Sequence, residues 1–548
     1  MLTRRSFHAT LLASLAATGL PAGPLDAATP PSPDLWLNRL TYGATPATRA
    51  AFHGLGPQVW LEDQLARPAT DPALANRLAA ARLRITYEGG QDENGHSWPA
   101  RDDLAPLASL AEGPATRLHL IQYAQGMDYS ERTRPAAEVI AASMIRAVHA
   151  TAQLREVMTQ FWHDHFNVNA QKDEFTAAFF PSHDALLREG AFGNFRALLG
   201  AVARSPAMLY YLNNADSRAS PANENYAREL LELHSLGAAS YLNDHYDDWH
   251  GVPGVASGLA SGYLDLDVYE VARAFTGWSV GDGRTVAEGQ TAPLTGRFHY
   301  VEAWHDPYQK RILGVEFAPN RAPMADGEQV LDLLAAHPAT ARFLCTKIAR
   351  RLLTDDPPAA LVDRLAHVFL QARDAPDQIA QVIRALVHDP AFTATPPGKI
   401  RRPFEFLAAL YRATGAAITG TDNGLHYHLH RAGWRQHEYG PPTGHPDVMA
   451  GWTGASSLNR LVDFALYAHE DWFGAASLDL AALTAFDEPV GAFLARWSAR
   501  IGTTPAGLAQ SMGLDPTTPA RTFPHDQRKG LASVAIALTA MSPQFVLR

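Results

Sequence analysis

Apolar residues recur at helical spacing between helix starts and stops over most of this chain, and nothing else in it limits the fold as much. Thr45-Pro46 places a capping hydroxyl before a proline at the first helical position, and Gly54 stops the run. Short helices are predicted over 57–67 and 72–83. A long helical stretch runs from about Pro135 to Phe166 with a break near Thr151. Further helices cover about 183–202, 225–236, 268–277, 327–337, 339–353, 359–372, 376–389 and 403–414. Two capping boxes support the scheme, Asp267 with Glu270 and Asp326 with Gln329. In each, the first side chain accepts from a free N–H of the first turn and the second reaches back. Three regions break the pattern. Residues 87–103 are Gly- and Asp-rich and read as a loop. Phe298–Val301 and 312–317 read as the two strands of a β-hairpin, with Trp304-His305-Asp306-Pro307 in the connection. Residues 415–457, rich in Gly, Pro, His and Trp, form a long irregular segment of the kind associated with function or disorder. The expected fold is mainly α: one large helical assembly over 29–548, with a small hairpin and an irregular C-terminal region.

The first 28 residues read as a removable twin-arginine signal. Thr3-Arg4-Arg5-Ser6-Phe7 precedes an apolar stretch from Ala9 to Leu20, too short for a stable membrane span, and Ala27 and Ala28 offer a cleavage site. The protein is therefore expected in the periplasm or outside the cell. No run of 18 apolar residues follows, so the mature chain is expected to have no stable membrane span. Twin-arginine export carries folded passengers, often with a cofactor already bound, which favours a bound metal or cofactor. The single cysteine, Cys345, excludes an intramolecular disulfide, Cys-based zinc sites and iron–sulfur clusters. A divalent transition metal would have to sit on His and carboxylate ligands. The net charge of -10 is interspersed, and no basic stripe marks a nucleic-acid partner. The clusters Lys347, Arg350, Arg351 and Lys399, Arg401, Arg402 read as solvated helix faces or local ion pairs.

Three segments could carry chemistry. In Leu154–Phe166, residues Leu154, Val157, Met158, Phe161 and Trp162 form one helical stripe with His165 near its centre. His163 points about 160° away at 3.6 residues per turn, so the two histidines cannot ligate one ion from a regular helix. His165 reads either as a buried, hydrogen-bonded histidine or as a ligand or proton carrier. In Asn223–Gly237, residues Asn225, Arg228, Glu229 and Glu232 share a polar face, with His234 and Asn223 on the other flank. They read either as a site, with Arg228 anchoring an anion, or as an Arg228–Glu232 pair on a solvated face. His305-Asp306 either orients a proton or a metal or caps its turn, and Arg273 lies off the apolar stripe of its helix. There is no Gly-x-Ser-x-Gly elbow, phosphate loop, dinucleotide fingerprint or His-Glu-x-x-His helix.

The chain resembles a bacterial family catalogued as domain of unknown function 1800. The resemblance rests on Leu37-Asn38-Arg39-Leu40-Thr41-Tyr42-Gly43, Phe161-Trp162-His163-Asp164-His165-Phe166, the stretch Asn223–His234, Asp267-Val268 with Ala272–Trp278, His305-Asp306 and His337–Phe343. Pro441-Pro442 followed by Gly451-Trp452 looks like the family's C-terminal signature. Residues about 239–262 depart from the pattern as an insertion, and His437 and His445 alter the signature around the prolines. Members look exported and are often encoded beside an exported family resembling sulfatases and phosphatases, which implies work on extracellular polymers, glycans or esters. The leading expectation is an exported hydrolase acting on an extracellular glycan or other polymer or a small molecule. His163, His165, Glu229 and Glu232 would be catalytic; Asn223, Asn225, Arg228, Arg273, His305 and Asp306 would bind substrate; His165 and His234 would hold a metal. A periplasmic oxidoreductase with a His-bound metal or haem, and a non-catalytic binding or assembly protein with buried polar networks, stay open.

Overall fold

The computed structural model describes residues 32–418, 420, 421, 423–467, 476, 477, 488–501 and 508–548. The stretch 1–28, read from the sequence as an export signal, lies outside them. The architecture is mainly α, with sheets of only two or three strands. Helix α1 (Pro33–Leu40) opens it, and α2 (Pro46–Leu55) is capped by Thr45, whose side chain accepts from the Thr48 N–H while Thr48 reaches back. The predicted long helix is two, α3 (Arg134–His149) and α4 (Gln153–His165), broken at 150–152. Then come α5 (Glu174–Glu189), α6 (Glu224–Glu232), α7 (Asp265–Ala274), α8 (Pro338–Leu352), α9 (Pro403–Thr414) and α10 (Asn423–Arg431). One apolar core runs through them from Trp36 to Val546. No helix among the described residues is long and apolar enough to cross a membrane.

The strands differ from the predicted hairpin. Starting within the end of the predicted 72–83 helix, β1 (Arg82–Tyr87) pairs antiparallel across the segment read as a loop with β2 (Arg101–Pro106), Leu83 opposite Ala105, and β1 is extended in parallel by Gly420–Thr421. The alternation Arg-Leu-Arg-Ile buries Leu83 and Ile85 and leaves the arginines out. Further on, β3 (Trp278–Asp282) pairs with β4 (Leu294–Tyr300), Val280 opposite Phe298. The predicted second strand folds on itself: β5 (Lys310–Ile312) turns at Leu313-Gly314 into β6 (Val315–Phe317). Both turn residues have positive φ, 52° and 77°, as the tightest hairpin connection demands. Leu313 is held there because its N–H donates to Asp267 (2.7 Å) and its carbonyl accepts from Ala260 (2.9 Å). Asp267 therefore does not start a helix as predicted. It is the third residue of α7, accepting from the Leu264 N–H and bracing the distant turn. Asp326 likewise pairs with Lys310 and Arg321 rather than capping.

Helix α4 sits at the centre, and of its 13 residues only Arg155 and Asp164 are more than marginally accessible. Its apolar side chains Leu154, Val157, Met158, Phe161 and Trp162 are essentially fully buried, which stabilises the fold by on the order of 10 kcal/mol in all. The same helix carries Glu156, His163, Asp164 and His165 into the interior. One unpaired buried charge would cost several kcal/mol, more than any single one of those apolar gains. Each of the four must therefore find a partner, and the pairing decides where chemistry can occur.

Candidate functional site

The polar groups of α4 leave it in two directions. Toward α5, His163 Nε2 lies 3.0 Å from Asp184 Oδ1. Asp184 also accepts from Arg146 (3.1 Å) and Arg188 (2.9 Å), and Arg188 pairs with Glu156. The His437 ring packs 4.1 Å from that of His163, and its Nε2 lies 2.9 Å from both Ser143 Oγ and Gln436 Nε2. Burial would raise Asp184, but Arg188, Arg146 and His163 hold it well below the usual carboxylate range. This network encloses about 10 Å³, space for at most a single water. It fixes α4 against α3 and α5 and admits no substrate.

On the opposite side, the last turn of α4 floors a cleft of about 370 Å³. One wall is α8, presenting Lys347, Arg350 and Arg351 at i, i+3 and i+4; the roof is the 439–448 segment. Gly444 lets that segment cross the helix end. Its φ is +70°, and a Cβ there would lie 2.0 Å from the Asp164 carbonyl oxygen. Asn167, just beyond α4, donates to the carbonyls of Tyr439 and Pro441, both at 2.9 Å.

Asp164 pairs with Arg402 (2.8 Å) and accepts from His445 Nδ1 (3.2 Å). Burial would raise its carboxyl, but Arg402 and His445 hold it well down, so it stays ionised. His445 Nε2 accepts the Arg435 N–H at 3.2 Å, and the ring stacks 4.0 Å from Trp434. With both nitrogens engaged and burial lowering its pKa, His445 is a neutral strut. Behind the wall, Arg351 pairs with Glu405 and approaches Asp447 (3.6 Å), and Lys399 bridges Asp355 (3.0 Å) and Asp447 (2.9 Å). Lys399, Arg401 and Arg402 are at most 3% exposed, so they do not form a solvated face; Arg402 makes a local pair with Glu405 as well as the distant one with Asp164, and Arg401 bonds the Phe545 carbonyl and Asn38.

Two cations differ. Among the described residues, Lys347 and Arg350 have no carboxylate within ion-pairing distance, and both line the cleft. Arg350 Nε donates to the Asp355 carbonyl. Lys347 Nζ lies 2.9 Å from His165 Nδ1, and His165 Nε2 lies 3.2 Å from the His234 carbonyl. A carbonyl only accepts, so His165 carries its proton on Nε2 and offers the Nδ1 lone pair to Lys347. Burial keeps His165 neutral and pushes the Lys347 amine down to about 8, against the pull of Asp164 and Asp447. An amine in that range is suited to proton transfer near neutral pH.

The sequence pattern of the family described as "Protein of unknown function (DUF1800)" matches residues 35–547. The chain belongs to the DUF1800 family. Neither a curated protein nor a solved structure matches it. The motif Phe161–Phe166 of this DUF1800 chain thus supplies the floor of the cleft, and the signature after Pro441-Pro442 supplies its roof.

Of the residues expected to be catalytic, to bind substrate or to hold a metal, only His165 touches this cleft's machinery, through Lys347. His163 is closed into the Asp184 network. His234 is fully buried beside Phe166, with neither ring nitrogen hydrogen-bonded within the protein, and its ring centroid is 6.3 Å from that of His165. Since both nitrogens of His165 are engaged, the pair does not present a metal site. Asn223 caps α6, accepting from the Asn225 N–H, and Asn225 donates to the Leu212 carbonyl. Arg228 pairs with Asp265 (3.2 Å) rather than with Glu232. Glu229 and Glu232 are half-buried and make no ion pair; burial and then Glu232 raise the Glu229 carboxyl. Arg273 forms a two-point pair with Asp306 (2.8 and 3.0 Å), and His305 Nε2 lies 3.4 Å from Asp326. The first tie fastens α7 to the connection before β5, and the second fastens that connection to Asp326. The six expected substrate-binding residues therefore fall into two separate groups, neither lining the cleft. Sequence reasoning passed over Asp164 between its two histidines and the i, i+3, i+4 cations of α8, which were the available signals. A larger cleft of about 470 Å³ lies beside α2, but its His149 and Arg412 are consumed by backbone partners.

Proposed function

We propose that this protein is an exported hydrolase that acts on an anionic extracellular glycan or other polymer in the cleft between α4, α8 and the 439–448 segment. The reading rests on one observation: among the described residues Lys347 and Arg350 face that cleft without carboxylate partners, while Arg351, Lys399 and Arg402 nearby are paired. Partly buried cations left unneutralised by the protein favour an anionic guest. Arg350 would hold a sulfate, phosphate or carboxylate group through its free guanidinium nitrogens. Lys347, oriented by His165, would take a proton from the attacking water, and Asp164 would favour the resulting ammonium. Export is supported by the twin-arginine pattern in the sequence.

The test is incubation of the purified mature protein with sulfated and uronate-containing polysaccharides, scoring new reducing ends and released acid groups. Cleavage by the wild type that falls by roughly a hundredfold or more in Lys347→Met supports the reading. Binding without products would favour the assembly reading, which the closed His163–Asp184 network also suits. No binding to any anionic polymer would end the proposal.

A further inference from the structure

We propose a second site, for a divalent transition-metal ion, formed by His426, His430 and Glu438 on the side of the fold where α10 meets the cleft's roof. His426 and His430 are four residues apart on α10 and so share a face. Glu438 comes from the segment following α10 and aims one oxygen between the two rings. Its Oε2 lies 3.0 Å from His426 Nε2 and 2.7 Å from His430 Nε2. Among the described residues these three form the one group of His, Cys and acidic side chains whose donor atoms converge this closely.

The three donor atoms lie close enough to converge on one ion. A tetrahedral ion about 2.0–2.2 Å from each donor sets neighbouring donors about 3.3–3.6 Å apart, so the observed 3.0 and 2.7 Å spacings have to open by less than about 1 Å to admit it. His430 Nε2 is shielded from solvent and lies 2.7 Å from the carboxylate oxygen, yet no hydrogen bond is aligned between them. His426 Nδ1 is buried without a partner, so a bridge of imidazole protons alone leaves that ring unsatisfied as well. Burial would raise Glu438, but the two imidazoles outweigh it and bring the carboxyl down to about 2, so the ligand oxygen is ionised at any physiological pH. Two imidazoles and one carboxylate form a borderline set that suits zinc or ferrous iron and does not suit calcium or magnesium. Three protein ligands leave at least one position for water.

The placement gives the ion a task. Glu438 stands between His437, which packs on His163, and Tyr439, which lines the cleft. An ion here would clip the roof of the cleft to α10. The inference does not depend on what reaction the cleft performs.

The test uses untagged mature protein, stripped with a chelator and titrated with zinc by calorimetry, and separately with cobalt for its ligand-field spectrum. The expected result is one equivalent of zinc per chain and a four- or five-coordinate cobalt spectrum. Affinity should fall by about a hundredfold in His426→Gln and in Glu438→Gln, whose metal-free melting temperatures serve as the folding check. Hydrogen exchange should slow over residues 435–448 on zinc addition in the wild type only. Absence of zinc binding, unchanged affinity in both folded variants, or exchange in that segment indifferent to zinc would overturn the proposal.

Discussion

Replacing His234 with leucine should make the protein less sensitive to mild acid. The His234 ring is fully buried against Phe166, and neither nitrogen has a hydrogen-bond partner within the protein. Burial, and then Lys347, lower its pKa to about 3, against about 6.5 in an unfolded chain. For a base with a lowered folded pKa, the unfolded state takes up the proton first. The stability held by the neutral ring is therefore intact above about pH 6.5 and is lost steadily as pH falls toward 3. Between pH 7.5 and 5.5 this amounts to roughly 1–2 kcal/mol. Leucine has no such term and relieves an unsatisfied buried polar ring, worth roughly 1–3 kcal/mol. His234→Leu should be at least as stable as the wild type at pH 7.5, with the gap widening by that first amount at pH 5.5. Urea unfolding followed by tryptophan fluorescence at several pH values measures it, and the difference between the two proteins cancels the other titrating groups. A gap that does not change with pH, or a variant less stable at pH 7.5 by more than about 2 kcal/mol, would refute the reasoning.

Other consequences follow from the same contacts. Hydrolysis in the cleft should rise about tenfold per pH unit below pH 8 and level off above it, as the Lys347 amine becomes neutral; a pH–rate profile shows this. His165→Leu removes the lone pair that steadies the Lys347 ammonium, so that limb should move to lower pH by about one unit. Asp306→Asn removes the two-point partner of the half-buried Arg273, which keeps Glu270, and should cost about 1–2 kcal/mol, read as a lower melting temperature. Gly444→Ala should weaken binding of an anionic polymer at least tenfold in a calorimetric titration, because the new methyl meets the Asp164 carbonyl and a left-handed backbone is required.

Much of the helical framework was legible because helix starts and apolar spacing are local. The break between α3 and α4, the Thr45 cap and the opposed directions of His163 and His165 all follow from residues within one or two turns. The β5–β6 turn was not legible: Leu313 takes a positive φ only because Asp267 and Ala260 hold it from elsewhere in the chain. The cleft eluded the sequence for the same reason. Asp164 meets Arg402 from 238 residues away and His445 from 281. The α8 cations looked like a wet surface because nothing local shows that the 439–448 segment covers them.

The provenance of the cleft's surfaces has an evolutionary consequence. Its base is cast from α4 and α8, where any change would unseat the ionic ties behind it. Seven of its lining residues, Tyr439 and the unbroken run from Thr443 to Val448, come from one short length of chain. Relatives could acquire new preferences by rewriting that length alone, keeping the glycine that clears the helix end, much as an interchangeable bit fits one fixed handle.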